Sequence, residues 1–156
     1  MKGRVHLLGD NIDTDMLAPG PYIHMNIDVL KRHCLEALQK DWSSNVSKGD
    51  IIIAGANFGC GSSREQAVIV LKELGINLVV AKTFSRLFFR NAVNFGLNVG
   101  FGDFRDIFLD GEEVNYSVEK RVIKGKREVK FTGVSGPPLE ILEKGGLINY
   151  FLSRSE

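Results

Sequence analysis

The residues best suited to chemistry in this chain fall in one stretch, Gly55-Ala56-Asn57-Phe58-Gly59-Cys60-Gly61-Ser62-Ser63-Arg64-Glu65. Glycines ahead of a helical pattern describe a loop that brings unpaired backbone N–H groups to a helix N-terminus, where the positive end of the helix dipole also lies. Such an end binds anions. Ser62 and Ser63 add two hydroxyls, and Arg64 adds a guanidinium that can grip a carboxylate or phosphate through two parallel hydrogen bonds. The ligand implied is a small, multiply charged anion. The same letters also fit a capping box, with Ser62 at the N-cap and Glu65 three residues later. A nucleotide P-loop is excluded, because Gly61 rather than a lysine precedes Ser62. A dinucleotide fingerprint fails too: Arg64 falls where its third glycine belongs, and Glu73 is too near to hold a ribose.

A second polar cluster, Asp10-Asn11-Ile12-Asp13-Thr14-Asp15, precedes the turn Pro19-Gly20-Pro21. Its acids lack the full oxygen set of a hard-cation site. Asp13 and Asp15 are therefore expected to cap turns and orient the glycine loop, and no metal ligands are assigned. Cys34 and Cys60 match no metal-binding spacing. Arg86 and Arg90, one helical turn apart in a Phe-rich stretch, project together and suit either a supporting role or a subunit interface.

These residues need elements to hold them. The apolar runs 51–55 and 78–81 read as buried parallel strands around a helix that Gly75 ends, a strand–helix–strand unit. Residues 5–8 suggest a further strand, 84–95 a second long helix stopped by Gly96, and 98–101 another strand. Val29 to about Lys40, capped by Asp28, has helical spacing. From Glu112 onward the period changes to short alternating strands, followed by a short helix after Pro137-Pro138. The pattern is one α/β domain over residues 1–156 with a small antiparallel C-terminal part.

The 156 residues carry a formal net charge of +1, which gives no electrostatic footprint for nucleic acid or an anionic membrane. No apolar run reaches the roughly 18 residues that span a bilayer, and the N-terminus has no signal-peptide core. The expected setting is cytoplasmic, with free thiols.

Three blocks in order carry a family likeness: Asp10–Asp15, Asn57–Glu65, and Lys82-Thr83-Phe84-Ser85-Arg86-Leu87-Phe88-Phe89-Arg90-Asn91-Ala92-Val93-Asn94-Phe95-Gly96-Leu97. Together they closely resemble the small subunits of 3-isopropylmalate dehydratase, the detached swivelling domain of the aconitase superfamily. The likeness runs over nearly the whole chain. It implies a swivelling β/β/α domain with a mostly parallel sheet and flanking helices. It also implies a hydro-lyase of leucine biosynthesis, active only with a large subunit that holds a [4Fe-4S] cluster, with no cofactor in this chain. By the same resemblance Ser62 is the catalytic base, while Ser63 and Arg64, with Gly59 and Gly61, bind a dicarboxylate. The loop after the proline turn, with Ile23, His24, Met25 and Ile27, reads the substrate's variable group. No arginine occurs in that loop before Arg32, so an apolar group, as in isopropylmalate, is preferred to the acidic one of homoaconitate. Methylmalate-type acids, or an anion-binding module without catalysis, are the alternatives.

Overall fold

A strand whose side chains are apolar on both faces belongs inside a sheet covered on each side. The computed structural model, which describes residues 1–155, buries every residue of two such strands, β2 (Ile51–Ala54) and β3 (Leu78–Ala81). The other strands are β1 (Lys2–Leu7), β4 (Asn98–Phe101), β5 (Glu113–Ser117), β6 (Val122–Lys124) and β7 (Glu128–Lys130). All seven form one sheet in the order β4-β3-β2-β1-β5-β6-β7. The first four strands pair in parallel, with Val5 opposite Ile51, Ile51 opposite Leu78 and Leu78 opposite Asn98. The C-terminal strands pair antiparallel and join the sheet through β1, where Gly3 lies opposite Val114. The antiparallel part is thus a continuation of the same sheet. Phe101 and Thr132 exchange both backbone hydrogen bonds, at 2.7 and 2.9 Å, so the two far edges meet and the sheet curls.

Strand alternation sorts the apolar residues into two cores. Val5, Ile51, Ile53, Leu78, Val80, Val114, Tyr116 and Ile123 pack together with Phe108 and Phe131. Ile52, Ala54, Val79 and Ala81 point the other way, onto α3 (Glu65–Leu74) and α4 (Arg86–Phe95). Each of these helices stops at a left-handed glycine, Gly75 (φ 103°) and Gly96 (φ 77°). The remaining helices are short: α1 (Thr14–Leu17), α2 (Ile27–Leu30), α5 (Pro137–Glu143) and α6 (Leu147–Arg154).

The helix expected over 29–40 does not form. Asn26, not Asp28, caps the much shorter α2 through its bond from Val29 N–H, and a 3-10 turn follows over Lys31–His33. Leu35 then takes a φ of +57°, which no α-helix accommodates. Burial explains the reversal: Cys34 and Leu35 are both fully buried, and Leu35 N–H donates to Met16 C=O at 2.8 Å. Two adjacent buried side chains suit a turn into the core better than a helix with one apolar stripe. Tertiary packing overrides the periodicity here.

Asp50 anchors the approach to β2. Asp50 is 2% exposed, and its carboxylate accepts from Arg4 N–H, Ser47 N–H and His6 Nε2, the last at 2.8 Å. Burial pushes its pKa up, but the backbone donors and His6 outweigh that and leave it below the ordinary carboxylate value. A carboxylate with a depressed native pKa adds stability above its unfolded value, about 3.9, and loses it as pH falls through the native one. Asp50→Ala is expected to cost about 2–4 kcal/mol in urea unfolding at pH 7. The gap from wild type should narrow below about pH 4.

Candidate active site

The glycine loop leaves the carboxyl end of β2, the edge of a parallel sheet where ligands gather. Its backbone is tied down on two sides. Gly59 N–H donates to Ile12 C=O at 2.7 Å, and Thr14 N–H donates to Cys60 C=O at 2.8 Å. Ser85 Oγ donates to Gly59 C=O at 2.7 Å and accepts from Phe88 N–H, so one hydroxyl both caps α4 and holds the loop. Thr14 Oγ1 donates to Ser62 C=O at 2.7 Å.

The capping-box reading is corrected. Helix α3 begins at Glu65 with Arg64 as N-cap, and no side chain caps it. Ser62 and Ser63 lie ahead of it on the exposed loop, and neither hydroxyl has a hydrogen bond among the described residues. The N–H groups of Gly61 to Gln66 likewise donate to no protein acceptor among the described residues. These hydroxyls and open amides make an anion-binding end with no internal ligand of its own.

Arg64 is held from behind. Its Nη1 donates to Asp15 Oδ1 and to Ala18 C=O, both at 2.9 Å. The fork of Nε and Nη2 has no partner among the described residues, and this edge suits bidentate carboxylate binding. The Arg64 hydrogen bond, followed by Gly20 N–H on the same oxygen, keeps the Asp15 pKa below the ordinary carboxylate value. Asp15 is therefore ionised near neutral pH and the guanidinium stays fixed.

The remaining sequence candidates divide. Asp13 caps α1 through Met16 N–H at 2.8 Å. Gly61 (φ +94°) is exposed beside the serines, whereas Gly59 is buried with its N–H and C=O both engaged, leaving no backbone group for a ligand. Ile23 and Ile27 are half-buried against the helix-side core, while His24 and Met25 face solvent. Arg86 and Arg90 are exposed on α4 and border a groove with Pro138 and Ile141 of α5. Cys34 is buried, which pushes its thiol pKa up and leaves it inert, and Cys60 is half-exposed. Among the described residues, no group of three or more His, Cys, Asp or Glu could hold a metal.

Sequence reasoning missed several supports. Asp10 accepts from Ala56 N–H at 2.7 Å and pairs with Arg105 at 3.1 Å, bracing the start of the glycine loop. Thr14, Ser85 and the Ala18 carbonyl act similarly. Ser85, inside the helix expected over 84–95, is instead its N-cap; Arg105 and a backbone carbonyl carry no local signal.

Known proteins resemble this chain in sequence and fold. Residues 27–98 match the family model for the aconitase C-terminal domain. The small subunit 1 of 3-isopropylmalate dehydratase from Thermotoga maritima is 44% identical over 155 residues, 96% of this chain and 93% of that protein. The methanogen homoaconitase small subunit of Methanocaldococcus jannaschii is 42% identical over 163 residues, 99% of this chain and 92% of that protein. A crystal structure of 3-isopropylmalate dehydratase from the same organism matches with a TM-score of 0.93 at 42% identity, covering 99% of this chain and 94% of that one. The curled mixed sheet with flanking helices is the aconitase-type small-subunit fold. The chain belongs to the 3-isopropylmalate dehydratase small-subunit family, aconitase-type hydro-lyase subunits whose relatives also include homoaconitase small subunits.

Gly59 makes the loop geometry testable. Its φ is +79°, and an added Cβ would collide with the ring of Phe88, in the core. Gly59→Ala should therefore lower unfolding stability by about 2–4 kcal/mol, from overpacking and a strained backbone together. Urea denaturation of the isolated chain measures this.

Proposed function

We propose that this chain is the small subunit of a 3-isopropylmalate dehydratase, interconverting 2- and 3-isopropylmalate in leucine biosynthesis, and that it works only when closed over a large subunit. The described residues offer no ligand set for an iron–sulfur cluster, so the [4Fe-4S] cluster of this chemistry is assigned to the large subunit. The residues of this chain handle the proton and the carboxylates.

Ser62 is the base in this reading. A serine hydroxyl is a feeble base unless its alkoxide is stabilised. The open N–H groups from Gly61 to Gln66, the positive end of α3 and Arg64 supply that stabilisation. The alkoxide takes the proton from the carbon next to a substrate carboxylate. The C–H electron pair becomes the new double bond as the neighbouring hydroxyl leaves. Hydroxide then adds at the carbon that lost the proton, Ser62 returns that proton to the carbon that lost the hydroxyl, and the isomer forms with the alkoxide restored. Ser63 and the free fork of Arg64 hold substrate carboxylate, with the Gly61 amide beside them. Gly59 shapes the loop rather than touching the ligand.

One observation carries the reading: two unbonded hydroxyls stand at an open helix end beside a guanidinium already pinned by its own carboxylate. For the substrate, the exposed positions of the loop after Pro19 include apolar Met25 and no arginine, which favours an apolar variable group. The methanogen homoaconitase small subunit among the relatives makes a longer tricarboxylate the second reading.

The test reconstitutes the chain anaerobically with the large subunit from the same organism. The panel contains 2- and 3-isopropylmalate, homocitrate and citramalate. Turnover of the isopropylmalates is expected, and Ser62→Ala should lose about 10²–10⁴-fold in kcat while unfolding at the same urea concentration as wild type. Turnover of homocitrate alone contradicts the substrate choice. Wild-type turnover retained in Ser62→Ala contradicts the base.

A further inference from the structure

The segment 20–25 makes its hydrogen bonds almost entirely within itself. Tyr22 N–H donates to Pro19 C=O, Ile23 N–H to Gly20 C=O and Met25 N–H to Tyr22 C=O. One hydrogen bond fastens it to the site, from Gly20 N–H to Asp15 Oδ1 at 3.0 Å. Its middle is fastened differently. The Tyr22 ring lies flat on the His33 imidazole, with centroids 3.6 Å apart and planes 4° from parallel. His33 Nδ1 is bonded to Glu36 Oε2 at 2.7 Å, which fixes the plane of the imidazole. Behind this pair the chain is anchored: Cys34 and Leu35 are fully buried, and Leu35 N–H is bonded to Met16 in α1.

We infer that Tyr22, His33 and Glu36 form a clamp that positions the loop presenting His24 and Met25 beside Arg64, and so sets which variable group the site accepts. The inference rests on the proposed function, in which this loop faces substrate, and deepens it by naming residues that act through the loop. Two facts place the loop at the site independently: Asp15 Oδ1 bonds both Gly20 and Arg64, and Ala18 C=O accepts from Arg64. Beyond the stacked ring, His24 and Met25 are exposed, two and three residues on. Their backbone continues directly from Tyr22 and Ile23, the two residues that seat the loop. The Tyr22 hydroxyl has no hydrogen bond among the described residues; the ring stacks on His33 and packs against the helix-side core. His33, Glu36 and Tyr22 are positioning residues and contact no reacting atom.

Two measurements test the clamp. Amide hydrogen exchange of the isolated full chain reads it without activity. His33→Ala should speed exchange across 20–25 by about tenfold or more with the amides of α3 unchanged, and His33→Phe, which keeps a flat ring, should stay near wild type. Equal exchange in wild type and His33→Ala overturns the clamp, as does a rise spread over the whole chain. In the reconstituted complex, His33→Ala should raise KM for isopropylmalate about tenfold with kcat within about twofold, narrow the preference over homocitrate, and be rescued by His33→Phe. A fall in kcat alone, or no rescue, overturns the positioning role. A wild-type complex inactive on every substrate while the exchange result holds overturns the proposed function and leaves the clamp established.

Discussion

One carboxylate oxygen organises the candidate site. Asp15 Oδ1 accepts from Arg64 Nη1 at 2.9 Å and from Gly20 N–H at 3.0 Å. It therefore joins the arginine ahead of α3 to the loop that follows α1. The pair lies at the surface, with Asp15 exposed and Arg64 partly buried, and such pairs contribute little stability, about 0–1 kcal/mol. Its worth is geometric. It occupies Nη1 and leaves the Nε–Nη2 fork unbonded among the described residues, and it fixes the start of the 20–25 loop relative to that fork. A free arginine at this position would lose rotamer entropy whenever it bound an anion. Here that ordering is complete beforehand.

The fold exists in part to bring two distant segments onto that oxygen. Residues 10–15 follow β1, and residues 55–64 follow β2. Because those strands are parallel neighbours, both loops emerge from the same sheet edge. Ile12 and Thr14 then clasp the glycine loop through Gly59 and Cys60, and Ser85 closes the clasp from the end of β3. The antiparallel strands contribute no side chain to this edge. They extend and close the sheet on its other flank, giving the parallel half a fixed curvature.

Much of this was legible in the sequence for a physical reason. Ile51–Ala54 and Leu78–Ala81 have no polar face, so they admit only a buried strand, and Gly75 and Gly96 end helices because the left-handed stop needs no Cβ. What was not legible depends on contacts far apart in sequence. The helix expected over 29–40 had good spacing, but burying Leu35 against Met16 mattered more than continuing the helix. The capping box had good letters, yet Thr14, nearly fifty positions upstream, holds the Ser62 carbonyl, and the helix starts three residues later. Similarly, the apolar letters of the 22–28 segment hid a division: Ile23 and Ile27 turn to the core, and His24 and Met25 turn out. Periodicity reports local preference. The site is assembled from partners that periodicity does not see.

A double-mutant cycle on kcat/KM tests the central claim most directly, using Asp15→Asn and Arg64→Ala in the reconstituted complex. If Asp15 acts chiefly by holding Arg64, its substitution costs about tenfold or more alone and less than about threefold once Arg64 is gone. Independent losses that multiply in the double variant would contradict the account.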